Sequence, residues 1–242
     1  MKESKQDEYY LKTEGNDYFK RNTIESQIPE LRTLKKIIFD EIKESEIKCS
    51  KVLEYGCNYG DLLHYMKKME ISQECMGVEA SKDAIIFGEK MYSDSVSFIH
   101  GTIANNKINN DPKFQNYFDL IIIDDVFGWV SRETLFQSIS NIDNMLKDGG
   151  FIFIRDFYSD RRIKNRNHHV LDESVFNYKI PESHASIFLS SGMYTVEWQK
   201  IFYDHLGMST SYRCDNPFNY RWTDIILKKS YNEYFIESKK IE

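Results

Sequence analysis

From about residue 29 the chain settles into a regular exchange of helical and extended spacing. Leu31, Leu34, Ile37, Ile38 and Ile42 fall on one stripe at the 3.6-residue period, which predicts a helix over 29–44. Val52 and Leu53 begin a short apolar strand that turns abruptly into glycine and small polar residues. Leu62, Leu63, Tyr65 and Met66 then line one face of a second helix. The alternation continues with a buried strand over 75–80, a helix over 81–92 that Ser81 can cap, and a strand over 96–99. Residues 104–117 are rich in asparagine and read as an irregular connection or a short helix. Leu120 to Ile123 form an unbroken apolar run, expected of a strand buried on both faces of a parallel sheet. An amphipathic helix over 134–146 leads to F-I-F-I-R-D-F as a fifth strand; a helix over 183–191 and strands over 194–203 and 223–229 complete the pattern. This is the signature of an α/β sheet, mostly parallel, with helices on both faces.

Divided by these shifts, the chain reads as one unit over 1–242. It comprises an N-terminal arm (1–27), a leading helix (28–45), a core (51–157), a basic loop (158–181), the C-terminal part of the sheet (182–230) and a polar tail (231–242). The arm's aromatics, Tyr9, Tyr10, Tyr18 and Phe19, either pack on the domain or cover its binding site.

Composition narrows the function classes. The 242 residues are 41% hydrophobic and 14% aromatic, enough for a substantial core. No apolar run approaches the ~20 residues a membrane span needs, and M-K-E-S-K-Q-D-E is not a signal peptide, so no membrane partner is expected and cytoplasm is the simplest compartment. Cys49, Cys57, Cys75 and Cys214 lack C-x-x-C spacing, which suggests neither a metal site nor a disulfide framework. A net charge of −6 argues against broad nucleic-acid affinity.

The densest chemistry stands at K-V-L-E-Y-G-C-N-Y-G, residues 51–60. A strand, a glycine-rich turn and a helix allow a backbone to approach a small ligand at a helix N-terminus. Gly56 and Gly60 supply room; any side chain at Gly56 is expected to block the ligand while leaving the fold intact. Glu54 suits a cationic ligand better than a pyrophosphate. Glu79, 19 residues beyond Gly60, ends the second strand near the offset at which such folds hold ribose hydroxyls.

V-L-E-Y-G-C-N-Y-G resembles the first motif of the class I S-adenosylmethionine (SAM) methyltransferases, with Asn58 in place of the middle glycine. K-D-G-G before F-I-F-I-R-D-F is similar to the family's approach to its fifth strand, and the likeness covers roughly 48–157. E-G-N-D-Y-F-K-R-N, R-D-F-Y and N-H-H with F-N-Y-K resemble the methyltransferases encoded with bacterial surface-polysaccharide genes. The resemblance implies a Rossmann-like seven-stranded sheet with SAM as cofactor. It places Glu54, Gly56, Cys57, Asn58, Tyr59 and Gly60 along SAM, Glu79 and Ala80 at the ribose, and Gly101 and Thr102 near the adenine. Asp124, Asp125 and Val126 fall where the methyl group is presented, with Trp129 as a stacking or wall residue and Phe19, Arg21 and Asn22 as parts of a cover. Many relatives read D-V-L-E-H-V where this chain reads Asp125-Val126-Phe127-Gly128-Trp129-Val130, so the Glu-His pair is absent.

Residues 156–181 show no periodicity but hold Arg161, Arg162, Lys164, Arg166, His168 and His169, just after Arg155. In an acidic chain such a loop fits an anion clamp, with Asp156, Tyr158, Arg161 and Arg162 as acceptor contacts. His168, His169 and Asp125 are the candidate bases, and the histidine pair lacks partners at metal-ligand spacing. D-N-P-F at 215–218 reads as a turn. The expected activity is methyl transfer to a small anionic acceptor such as a sugar nucleotide or another capsule or surface-polysaccharide precursor. The rival readings are a nucleic-acid or protein methyltransferase, a NAD-dependent enzyme, and a non-catalytic subunit of a biosynthetic complex.

Overall fold

The computed structural model describes residues 4–23, 31–167, 169–170, 175–203 and 221–231. Seven strands form one sheet: β1 (Lys51–Tyr55), β2 (Glu74–Glu79), β3 (Ser97–His100), β4 (Phe118–Asp124), β5 (Leu146–Phe157), β8 (Tyr194–Phe202) and β9 (Trp222–Lys229), in the order β3-β2-β1-β4-β5-β9-β8. Strands β1 to β5 pair in parallel, and β9 runs antiparallel to both β5 and β8. The order reverses between β1 and β4, which opens a crevice at the carboxyl ends of those two strands.

The period-2 alternation of each strand feeds two cores. Leu53, Tyr55, Ile121, Ile123, Ile152, Ile154, Ile225 and Leu227 face one side, packed with helices α6 (Leu135–Met145) and α7 (Ala185–Leu189). Val52, Leu120, Ile122, Phe153 and Ile226 face the other, against α3 (Thr33–Glu44), α4 (Asp61–Lys68) and α5 (Lys82–Tyr92). Burial on both faces explains why β4 reads as a continuous apolar run.

Three expectations shift. The leading helix begins at Thr33, not residue 29. Leu146 follows α6 directly and already belongs to β5, so K-D-G-G lies inside a long irregular strand, with Gly149 at φ +78° and a register shift against β4. The basic stretch is not an unstructured loop. It contains strands β6 (Ile163–Arg166) and β7 (Phe176–Lys179), paired antiparallel. In β6 Lys164, Asn165 and Arg166 are exposed, so no apolar alternation marks it. D-N-P-F lies outside the described residues.

The N-terminal arm is helical: α1 (Lys5–Tyr9), capped by Ser4, runs through a wide turn over Tyr10–Glu14 into α2 (Gly15–Asn22).

Beneath the crevice, Arg155 donates to both carboxylate oxygens of Asp224, and Glu41 stands 3.8 Å from the same guanidinium. Burial, then the Asp224 charge, pushes the Glu41 carboxyl up to about 9. A carboxyl raised in the folded state contributes stability at low pH that is lost as pH rises from the unfolded value, about 4.3, through the folded one. Glu41→Gln is therefore expected to flatten the fall in stability between about pH 5 and 9; urea midpoints at both ends of that window check it.

Candidate active site

The crevice is a cavity of about 610 Å³, a size suited to a nucleoside-bearing ligand. Its walls come from the ends of β1, β2 and β4, from the segment leading into α3, from the arm, and from the chain after β6. Gly56 turns away from β1 at φ +71°, and a β-carbon there would stand 2.6 Å from Cγ2 of Val126. The expectation for Gly56 is thus corrected: a side chain would strain the turn and collide with Val126, damaging the fold as well as the cavity.

At the end of β2, Glu79 is fixed from behind. Its Oε2 accepts from Asn58 N and its Oε1 from Ser81 N, both at 2.8 Å. Burial pushes its carboxyl up against these bonds. Each oxygen keeps lone-pair capacity toward the cavity. Among the described residues, the buried Asn58 Oδ1 beside it has no hydrogen-bond partner.

At the end of β4, Asp124 lies 2.8 Å from Lys35 Nζ, which also donates to Glu54 Oε1 at 2.5 Å. Burial raises the Asp124 carboxyl, but the cations Lys35 and Arg155 outweigh it and hold the group below the usual range. Asp125 follows at φ +54°, its N–H donating to the Arg155 carbonyl and its Oδ1 accepting from Trp129 Nε1 at 3.2 Å. It is partly open to the cavity yet surrounded by protein. That burial, with Asp156 and Asp124 adding, pushes its carboxyl well above the usual range.

The arm joins both edges of the cavity. Gln6 donates to the carbonyls of Trp129 and Phe176 and accepts from Phe176 N; Asp7 accepts from the Thr134 hydroxyl at 2.7 Å. On the opposite side Asn16 Oδ1 accepts from Ser81 Oγ and Asp83 N. Glu14 pairs with Arg21 and accepts from Asn167. Gly15 lies so close to the β2–α5 turn that a β-carbon would meet Ser81 N at 2.9 Å and Ala80 C at 3.0 Å. Gly15→Ala should therefore lift the arm at a cost of about 1 kcal/mol, read as faster proteolysis within the arm at an unchanged global melt.

Of the residues singled out from the sequence, Phe19, Arg21, Gly56, Asn58, Glu79, Ala80, Gly101, Thr102, Asp124, Asp125, Val126, Trp129 and His169 line the cavity. The others stand elsewhere. Glu54 is fully buried beneath the turn with its charge committed to Lys35. Cys57 points into space that only Gly77 leaves open, where a β-carbon would stand 2.4 Å from its sulfur. Tyr59 packs edge-on against Phe87 under the Arg32 guanidinium, and Gly60, at φ +80°, starts α4 against Phe98. Asn22 turns back to the Tyr18 carbonyl. Asp156 is buried, accepting from Gly128 N and Phe157 N, and so supports the turn after β4 from below. Tyr158 packs under Arg221, while Arg161 and Arg162 are exposed outside the lining. His168 lies outside the described residues. Sequence reasoning missed Arg32, Lys35, Asn167 and Trp222 in the lining; Tyr10 and Tyr18, named among the arm's aromatics, and Arg155, named with the basic run, line it too. Arg32 and Lys35, cations beside an apolar stripe, were the readable signal. Arg32 grips Asp61 through two nitrogens, at 2.8 and 2.6 Å, and ties α3 to the start of α4.

No group of three or more candidate metal ligands occurs among the described residues, and none of their helices is long and apolar enough to cross a membrane.

A family model described as a methyltransferase domain matches residues 48–206. An uncharacterised protein of Rickettsia prowazekii is 29% identical over 127 residues, covering 52% of this chain and 49% of the relative. The tRNA N(3)-methylcytidine methyltransferase trm140 of Schizosaccharomyces pombe is 25% identical over 181 residues, covering 70% and 55%. The chain spans about half the length of the curated relatives it matches. Among solved structures, the 1,6-didemethyltoxoflavin-N1-methyltransferase of Burkholderia thailandensis, with 1,6-didemethyltoxoflavin and S-adenosylhomocysteine bound, superposes with a TM-score of 0.64 at 12% identity, covering 95% of this chain and 92% of that one. The N-methyltransferase NodS of Bradyrhizobium japonicum, in complex with S-adenosylhomocysteine, gives 0.57 at 12% identity, covering 89% and 98%. With well over half its length inside the family model, and a glycine turn at the switch point of its seven-stranded sheet, the chain belongs to the methyltransferase-domain family as a class I domain whose cofactor is SAM.

Proposed function

We propose that this protein methylates a small acceptor, a sugar nucleotide or another anionic precursor of a bacterial surface polysaccharide, in the cytoplasm. The observation that supports it is one cavity joining Gly56, Glu79 and Asp125, with the basic strand β6 leading directly into Asn167 and His169 at its wall. SAM, when bound, supplies an electrophilic methyl group on a positively charged sulfur. Glu79 would hold the ribose hydroxyls, Ala80, Gly101 and Thr102 the adenine side, and Asn58 with Arg21 and Arg32 the amino-acid end. Asp124, Val126 and Trp129 would wall the methyl end, and Phe19 with Tyr10 would exclude water from above. Of the candidate bases, Asp125 and His169 line the cavity, where either would take a proton from the acceptor. Arg161 and Arg162, exposed just before β6, would meet the acceptor's phosphates.

The test is SAM consumption by the purified chain against phosphorylated sugars and sugar nucleotides. Arg161→Ala with Arg162→Ala should raise KM several-fold and leave kcat and SAM affinity unchanged. An active acceptor without negative charge, with kinetics indifferent to the pair, would remove the anionic part of the reading.

The yeast relative supports a second reading, base methylation of tRNA. The net charge of −6 opposes it. A salt-sensitive tRNA gel shift would favour it.

A further inference from the structure

The charges around the cavity are unevenly settled. Among the described residues of the lining, every lysine and arginine already has a carboxylate: Arg21 has Glu14, Arg32 has Asp61, Lys35 has Glu54 and Asp124, and Arg155 has Asp224. The carboxylates are treated differently. Asp7 has the Thr134 hydroxyl and Glu79 has two backbone N–H groups. Asp125 has the Trp129 indole N–H on Oδ1 and, among the described residues, no cation within ion-pair distance. The second oxygen, Oδ2, takes no hydrogen bond there. A partly buried carboxylate with one oxygen unclaimed is costly unless a ligand completes it.

Aromatic side chains share the cavity with this charge. Tyr10, Tyr18, Trp129 and Trp222 all line the same cavity. Burial pushes the Tyr18 phenol up to about 12 and the Asp125 and Asp124 charges add to it, which places that ring within their field. Asp125 likewise raises Tyr10, after burial and Glu14. A carboxylate bonded to an indole, in a cavity lined by further aromatic rings, is an environment for an ammonium group, attracted both by the charge and by the rings.

From this imbalance we infer that the methylated atom is an amine nitrogen, held and relieved of a proton by Asp125, so that the acceptor is an amino compound, an amino-sugar nucleotide in the terms of the function proposed above, on which this inference rests. The ammonium form gives one proton to Asp125 and becomes a neutral amine. Its nitrogen lone pair then forms the new N–C bond while the methyl–sulfur bond breaks with its electron pair remaining on sulfur. The sulfonium charge thus passes to the methylated ammonium, and the proton on Asp125 leaves to solvent. A sugar hydroxyl holds its proton far more tightly than a carboxyl can match, whereas an ammonium beside a carboxyl whose affinity is already raised needs only a modest push. The amine end enters the cavity, and the phosphates remain at the basic rim.

Sinefungin tests this without the true acceptor, because it carries an amine where SAM carries its methyl group, next to the acceptor's position. Calorimetry would compare sinefungin, SAM and S-adenosylhomocysteine on the wild type and on Asp125→Asn, which is isosteric and tolerates the left-handed backbone; an unchanged melt verifies its fold. The expected result is sinefungin binding tenfold or more tighter than S-adenosylhomocysteine to the wild type, with that ratio falling below twofold in the variant and the SAM to S-adenosylhomocysteine ratio retained. An unchanged sinefungin ratio would overturn the inference. A parallel collapse of the SAM ratio would also overturn it, by assigning Asp125 to the sulfonium. Methyl transfer to an acceptor bearing hydroxyls but no amine would do the same while leaving the methyltransferase reading intact. If none of the three ligands binds the wild type, the cofactor reading itself fails.

Discussion

Lys35→Ala is expected to cost about 3–5 kcal/mol of stability at neutral pH, because it strands two buried carboxylates, Glu54 and Asp124, around an emptied position. Lys35 is 4% exposed, and water has little access to replace its ammonium. The pH signature separates charge loss from lost packing. Despite burial, Asp124 and Glu54 raise the Lys35 pKa, so its contribution is present below the unfolded lysine value, about 10.4, and is lost above it as pH rises through the folded value. The lowered Asp124 pKa contributes above the unfolded aspartate value, about 3.9, and is lost as pH falls through the folded value. Glu54 has the opposite sign, since burial raises it and its ionised form is the costly one. The deficit of the variant should therefore be largest between about pH 4 and 10 and should shrink on acidification, as both stranded carboxyls protonate. Urea titrations at pH 3 and 7 measure it. A difference from wild type below about 0.5 kcal/mol at pH 7 would mean that solvent reaches the trio. Lys35→Met combined with Glu54→Gln should recover part of the loss by removing one of the stranded charges.

Glu79→Ala should weaken SAM binding at least tenfold, about 1.5–3 kcal/mol, if its carboxylate accepts from the ribose hydroxyls. Its bonds to Asn58 N and Ser81 N add a second consequence. Alanine leaves both N–H groups without their acceptor, so the variant should also melt lower. Glu79→Gln divides the two effects: its remaining carbonyl oxygen can serve one backbone N–H, while its amide presents a donor where an acceptor is needed. Calorimetric titration of both variants alongside their melting curves is the measurement. Wild-type SAM affinity in Glu79→Ala would take this residue out of the site.

The sequence announced the sheet and the crevice because their signals are local. Leu120 to Ile123 needs no partner to be read as a strand buried on two faces, and Gly56 beside Val52-Leu53 marks its own turn. Glu79 was legible from its distance to Gly60 alone. The roof was not. Strand β6 has three exposed polar positions in four, and its partner β7 is recognised only through pairing. Nor could the sequence say which cations were already spent. Arg155, within the basic run, is committed to Asp224 on a neighbouring strand, and Glu54, a plausible cofactor contact, is committed to Lys35. Both assignments depend on pairings set by the tertiary fold.

The bonds that join the arm to β7 have a consequence for assembly. Gln6 meets Phe176 across 170 residues of chain, and Asp7 meets Thr134 across 127. Contacts so distant in sequence carry a large loop-closure cost and form after the local ones that reward closure sooner. During synthesis at 5–20 residues per second, the arm waits roughly 10–30 s after its own translation for β7 to exist. Throughout that interval Tyr10, Tyr18 and Phe19 have no roof to complete, and the half-built crevice between β1 and β4 stands open. The nascent chain therefore holds β1 to β5 before its chamber can close, and the sheet itself is finished only later, when β9 arrives beside β5.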